Sequence, residues 1–217
     1  MAVKAALFDL DGTLTNTLDD IANAMNRALR LHGLPEFPVN DYRYLVGDGV
    51  KKLAERASRG RTELEDSVRR EYQQYYQAHT QVLTAPYDGV PDMLRELQRR
   101  GVRLAVFSNK PHADTCGVVA HYFPDVAFDI VRGQMEGVPV KPDPAGALAI
   151  AEAMAIAPDE FVYLGDTGTD MRCAVNAGMR PIGVLWGFRT AEELLESGAE
   201  ALLEHPSQLM GLLGMSD

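Results

Sequence analysis

Two aspartates one residue apart, Asp9 and Asp11, close an apolar run that begins at Val3 and is interrupted only by Lys4. The run has the composition of a buried strand. On a strand the two acids share a face, and Gly12 ends it directly after them, so both carboxylates sit where the chain turns into a loop. Holding two such charges together without a partner is costly. A divalent cation relieves the repulsion, and carboxylate oxygens suit Mg²⁺. With the repulsion offset, one carboxylate can attack an electrophile such as phosphorus. Taken alone, two acids after a strand are more often a helix N-cap or a polar loop. A calcium loop fails on spacing: counted from Asp9, the glycine comes fourth instead of sixth, and the twelfth residue is Asp20 instead of Glu.

The elements that must position these acids follow in two patterns. Residues 15–31 read as a helix, with Asn16 or Thr17 as its cap, Asp19 and Asp20 favouring its dipole, and Gly33 beyond its end. Ile21, Met25, Ala28, Leu29 and Leu31 form its apolar stripe. After a loop through Pro35 and Pro38, helices are predicted over 40–45, 50–58 and 62–80, with Val46-Gly47-Asp48-Gly49 between the first two. No strand signal falls within 15–80, so this stretch reads as a helical bundle inserted after the first strand.

From Ala85 the pattern changes. Strands predicted over 103–107, 128–131, 161–164, 181–184 and 201–203 alternate with helices over 92–100, 113–121, 144–154, 170–177, 191–197 and 207–213. Such alternation implies an α/β class: a Rossmann-like, mostly parallel sheet with helices on both faces. The expected division is a core of 1–14 and 84–217 with an all-α domain of 15–83 inserted into it.

Open parallel sheets bind ligands beyond the carboxyl ends of their strands, and polar groups do follow the other strands. Ser108-Asn109-Lys110 follows Phe107, Asp166 follows Gly165 with Thr167 and Asp170 close behind, and Lys141 precedes the helix leading to the 161–164 strand. Three strand ends and one loop thus converge on a carboxylate-rich, lysine-containing site.

Composition narrows the partners. A net charge of −10 argues against nucleic acid. Residues 15–86 hold ten Lys/Arg and ten Asp/Glu, so the excess negative charge lies elsewhere, mostly as solvated surface. No run is apolar enough to span a membrane. Met1 leads straight into the first strand without a charged leader and cleavage site. Cys116 and Cys173 lack close Cys or His partners in a zinc pattern and read as small packed thiols. A reduced cytoplasm is the expected compartment. None of the five histidines pairs with a Ser or Cys in a triad pattern.

With these residues in view, the sequence resembles the haloacid dehalogenase superfamily of phosphotransferases. Its four motifs occur in family order: Asp9-Leu10-Asp11-Gly12-Thr13, Ser108-Asn109, Lys141-Pro142, and Gly165-Asp166-Thr167-Gly168-Thr169-Asp170. The resemblance covers nearly the whole chain, and the 15–83 insert matches the family's helical cap domain. Within the family, Ser108-Asn109-Lys110-Pro111, Lys141-Pro142-Asp143-Pro144, Ala177-Gly178-Met179 and Gly183-Val184-Leu185-Trp186-Gly187-Phe188 resemble the phosphoglycolate phosphatases.

The resemblance implies a magnesium-dependent phosphatase acting on a small phosphorylated metabolite, most closely 2-phosphoglycolate, through an aspartyl-phosphate. Asp9 is then the nucleophile and Asp11 the general acid/base. Mg²⁺ is held by the side chains of Asp9 and Asp166 and the backbone carbonyl of Asp11. Lys141 bridges nucleophile and phosphate. Gly12, Thr13, Ser108 and Asn109 hold phosphoryl oxygens, although Ser108 or Asn109 could equally cap a helix. Asp170 either orients Lys141 from behind or caps the next helix. Gly47 and Lys51, with Arg43 and Lys52, are the expected substrate contacts from the cap, although solvated helix faces account for any one of these cations. Trp186 is expected to pack instead of touching substrate. Pyrophosphate, nucleoside monophosphates and sugar phosphates remain alternative substrates, a phosphomutase or a non-enzymatic module remains an alternative function, and the chain is expected to be a monomer or homodimer.

Overall fold

The computed structural model describes residues 3–215. Strand β1 (Ala5–Phe8) is followed by a two-residue strand, β2 (Thr15–Asn16), and by helices α1 (Leu18–Leu31), α2 (Tyr42–Leu45), α3 (Val50–Ala57) and α4 (Glu65–Gln77). Strand β3 (Ala85–Pro86) leads back to α5 (Val90–Arg99), β4 (Arg103–Pro111), α6 (His112–Tyr122), β5 (Ile130–Gln134), α7 (Ala145–Met154) and β6 (Phe161–Gly165). The chain then runs through α8 (Gly168–Ala177), β7 (Arg180–Val184), α9 (Ala191–Glu196), β8 (Ala201–Leu203) and α10 (Gln208–Leu212).

Six strands form a sheet in the order β5-β4-β1-β6-β7-β8, each parallel to its neighbours. Side chains of β1 alternate between two cores, as the strand period requires. Ala6 and Phe8 join Val90, Leu94 and Val118 on one face, whereas Ala5 and Leu7 join Ala147, Ile150 and Cys173 on the other. Helices therefore cover both faces, and the sheet centre reads as an unbroken apolar run. The register brings the strand ends level: Phe8 pairs with Val106 on one side and Leu164 on the other. Residues just past these positions emerge side by side.

Helices α1 to α4 build a separate core from Ile21, Met25 and Leu29 of α1 with Tyr42, Leu53 and Tyr72. Leu31, expected in that stripe, is exposed instead, as the last residue of the helix.

The sequence reading needs correction where short elements lack a periodic signal. Residues 15–80 are not free of strand: Thr15 and Asn16 pair antiparallel with Pro86 and Ala85. Two residues are too few to display a period of two, and the pairing partner lies far along the chain. Helix α1 accordingly begins at Leu18, and Asn16 Oδ1 accepts a hydrogen bond from the Leu18 N–H at 3.3 Å. Strand β4 continues through Ser108, Asn109 and Lys110 to Pro111, with an irregular register against β5 after Phe107. Neither Ser108 nor Asn109 caps a helix, since Pro111 precedes α6. Among the described residues no helix is long and apolar enough to cross a membrane.

Candidate active site

Asp9 leaves the end of β1 with its N–H bonded to the Leu164 carbonyl at 3.0 Å. Lys141 reaches it from the loop before α7: its Nζ lies 2.9 Å from Asp9 Oδ1 and 2.7 Å from Asp170 Oδ1. The same ammonium donates to the Phe107 carbonyl at 3.1 Å. Asp170 sits in the first turn of α8. Its other oxygen accepts from the N–H and hydroxyl of Thr167, while Thr167 accepts from the Asp170 N–H, a reciprocal capping box. The N-cap is thus Thr167 and not Asp170, which stands three residues later in the capping box and also touches Lys141.

Asp166 follows β6 and is fully buried. Thr13 donates its hydroxyl to Asp166 Oδ1 at 2.9 Å, and the Phe188 N–H donates to Oδ2 at 2.9 Å. The Thr13 hydroxyl is therefore committed to orienting Asp166 instead of standing free for a phosphoryl group. Gly12 adopts φ +88°, and a Cβ there would overlap the Asp166 carboxylate. The approach of Asp166 to the Asp9 loop requires a residue without a side chain.

One carboxylate oxygen from each of Asp9, Asp166 and Asp170 lies within 4.8 Å of the other two, all three residues buried. Burial pushes the Asp9 carboxyl up to about 7, with Asp170 adding to the shift and Lys141 opposing it. Burial, then the charges of Asp170 and Asp9, hold Asp166 well above the usual carboxylate range. Burial acts to lower Lys141, but Asp170 and Asp9 outweigh it and keep the ammonium charged. Three buried carboxylates against one buried ammonium is a deficit of positive charge. The all-oxygen donor set fits a hard divalent cation such as Mg²⁺.

The Asp11 carboxylate stands apart from this group. It accepts from Lys110 Nζ at 3.0 Å, and Lys110 donates as well to the Tyr76 hydroxyl of α4 at 2.6 Å. Neither Lys110 nor Tyr76 was singled out by sequence. Lys110 lay in plain view within Ser108-Asn109-Lys110, whereas nothing local to Tyr76 marks it. The Asn109 side chain also has a role that sequence did not suggest. It accepts from the Lys141 N–H at 2.9 Å and donates to the Lys141 carbonyl, pinning the lysine's peptide.

Asp9, Asp11, Ser108, Asn109 and Lys110 floor a cavity of ≈ 50 Å³ whose roof includes Ile21, Val46, Val50, Leu53, Tyr72 and Tyr76. The Val46–Gly49 loop is held down across this cavity. Asn109 donates to the Gly47 carbonyl at 3.1 Å, Thr169 to Asp48 at 2.7 Å, and Arg189 to the Val46 carbonyl at 2.8 Å. Gly47 lines the cavity. The expected cations do not. Arg43 is spent on the Gly187 and Phe188 carbonyls, and Lys52 pairs with Glu55. Lys51 is exposed on α3, outside the lining, because that helix turns Val50 and Leu53 inward. Trp186 donates to the Thr13 carbonyl at 3.0 Å and packs against the core, away from the cavity.

The profile of a family described as haloacid dehalogenase-like hydrolase matches residues 6–184. The chain is 30% identical over 215 residues to the phosphoglycolate phosphatase of Aquifex aeolicus, covering 97% of each. It is also 30% identical over 218 residues to the N-acetylmuramic acid 6-phosphate phosphatase of Pseudomonas aeruginosa, covering 98% of this chain and 96% of that one. Its fold superposes with a TM-score of 0.91 on the crystal structure of a proposed phosphoglycolate phosphatase from Lactobacillus delbrueckii subsp. bulgaricus, at 31% identity, covering 98% of this chain and 99% of that one.

Proposed function

Since this chain belongs to the haloacid dehalogenase-like hydrolases, we propose that it is a magnesium-dependent phosphatase of small phosphate monoesters, with 2-phosphoglycolate as the leading substrate. The observation that carries this reading is the Lys141 ammonium between Asp9 and Asp170, with Asp166 beside them at the aligned strand ends. Asp9 and Asp166 would hold the metal, joined by the backbone carbonyl of Asp11, with Asp170 behind Lys141. When bound, Mg²⁺ supplies positive charge against the anionic ester.

An oxygen of Asp9 bonds to phosphorus as the ester P–O bond breaks, and the bond's electron pair passes to the leaving oxygen, which takes a proton from Asp11. The products are an alcohol and an aspartyl-phosphate. Asp11, now a carboxylate, takes a proton from water while that water's oxygen bonds to phosphorus. The Asp9–phosphorus bond breaks, and phosphate and the Asp9 carboxylate are restored. Lys141 keeps the nucleophile oriented and its charge balanced throughout. Ser108 and backbone N–H groups around Asn109 would receive phosphoryl oxygens.

Residues 1–14 and 84–217 form the catalytic core in this reading, and 15–83 a cap whose closure excludes bulk water. The ribbon of β2 and β3 joins them and is the natural hinge. The test is phosphate release with Mg²⁺ from a panel of 2-phosphoglycolate, pyrophosphate, nucleoside monophosphates and sugar phosphates including N-acetylmuramic acid 6-phosphate. Turnover of 2-phosphoglycolate, lost in Asp9→Asn, is the expected result. No turnover of any member would overturn the reading.

A further inference from the structure

A second negative charge on a substrate needs a partner, since the roof over the site is apolar. Other cations around the roof are bonded elsewhere or lie outside the lining: Arg43 bonds backbone carbonyls, Arg56 bonds Asp48 and the Leu45 carbonyl, Arg189 bonds the Val46 carbonyl and Glu193 and leaves its buried Nη1 unpartnered outside the lining, and Lys51 and Lys52 are also outside it. Lys110 is the one lysine or arginine among the residues that line the cavity. Its side chain is buried, and its ammonium is aimed by the Tyr76 hydroxyl on one side and by Asp11 on the other. It stands two residues after Ser108 on the same strand.

We infer that Lys110, aimed by Tyr76, is the residue that reads an anionic group on the leaving portion of the substrate. The inference rests on the phosphatase reading above and narrows it. Because Lys110 shares a strand end with the phosphoryl-binding Ser108, the anion it reads is separated from phosphorus by only a few atoms. The chemistry is that of a carboxylate on a short alcohol. A cation on the cap would instead select longer substrates. The incoming carboxylate takes ammonium bonds now made to Asp11, which leaves Asp11 free to face the leaving oxygen. An anionic substrate therefore both fills the site and frees the Asp11 carboxylate, which takes up a proton from solvent water and then gives it to the leaving oxygen. Lys110 is a specificity residue in this account, and Tyr76 is a positioning residue.

The experiment compares kcat/KM for 2-phosphoglycolate and ethyl phosphate, which share a two-carbon leaving group and differ by the carboxylate. The proteins are the wild type, Lys110→Met and Tyr76→Phe, all with Mg²⁺. Loss of a buried charge pair predicts that Lys110→Met lowers kcat/KM for 2-phosphoglycolate by about thirtyfold or more. The same variant removes the partner of Asp11 for either ester, so ethyl phosphate should lose activity too, but by a factor about tenfold smaller than 2-phosphoglycolate, since that ester makes no such pair. Tyr76→Phe keeps the ring and its stacking on Tyr72 at 5.2 Å and should shift the ratio in the same direction by a smaller factor. Equal losses on both esters would mean that Lys110 only supports Asp11 and the local structure, which overturns the inference. So would a wild type that does not distinguish the two esters. A wild type that hydrolyses no monoester at all instead defeats the phosphatase reading itself.

Discussion

Gly12 shows how closely the residues of this site constrain one another. Its backbone lies at φ +88°, and the place where a Cβ would stand is filled by the Asp166 carboxylate. Gly12→Ala therefore combines left-handed strain with a collision against a fully buried acid that is already bonded to Thr13 and Phe188. A loss of about 2 kcal/mol or more in folding stability is expected, read from the shift in urea midpoint. Asp166 must also move, so the variant should need more Mg²⁺ for half-maximal activity. Wild-type stability and metal dependence in Gly12→Ala would mean that the loop adjusts freely. The acids and Lys141 were visible in sequence because short motifs carried them. Lys110 was visible but had no assigned role, because its partner Tyr76 lies 34 residues away.

Elements of two residues decide how the two cores are joined. The ribbon of β2 and β3 has no sequence signature, and it is reinforced from α1. Asp20, 4% exposed, accepts hydrogen bonds from the N–H groups of Val82, Leu83 and Thr84 and from the Thr84 hydroxyl. Sequence placed Asp20 in the first turn of a helix as a partner of the dipole. Its second role, tying down the returning linker, depends on residues more than 60 positions later. Asp20→Ala leaves the buried N–H and hydroxyl of Thr84 without their acceptor and should cost about 1–3 kcal/mol in denaturant unfolding. Faster amide exchange at 82–84 than elsewhere in the variant would locate the effect, and unchanged stability would contradict it. Longer elements behaved differently. The helices and strands of the α/β half are legible in sequence, since amphipathic helices pack against a sheet whose central strands are largely apolar.

At the scale of the molecule, the buried acids make stability depend on pH and on metal together. The Asp9 carboxyl is raised to about 7 by burial, then Asp170, against the pull of Lys141. Asp166 is displaced in the same direction. In the unfolded chain these groups ionise near the ordinary value, so between there and about pH 7 the unfolded state has released protons that the native state retains. Stability then falls as pH rises. Metal-free protein should be less stable at pH 7 than at pH 5, and Mg²⁺ should raise stability most at pH 7, because it favours the ionised carboxylates. Urea unfolding at the two pH values, with chelator and with Mg²⁺, checks this. Equal stability without metal would show that Lys141 alone balances the cluster. Asp48 acts with the opposite sign, since bonds from Thr169 and Arg56 outweigh the burial that would raise it. Its contribution is lost only below the ordinary carboxylate range.

What the amino-acid order determined by itself was the α/β alternation, the helical stretch after the first strand, the acids at strand ends and the lysine in the loop before α7, because periodicity and turn chemistry are local properties of the chain. What the tertiary structure alone decided was the alignment of β1, β4 and β6 that sets Asp9, Ser108 and Asp166 side by side. It likewise decided the commitment of Arg43 to backbone carbonyls and the pairing of Lys110 with Asp11 and Tyr76. Those outcomes depend on register and on which charges find partners once water is excluded, and neither is encoded within any short window of sequence.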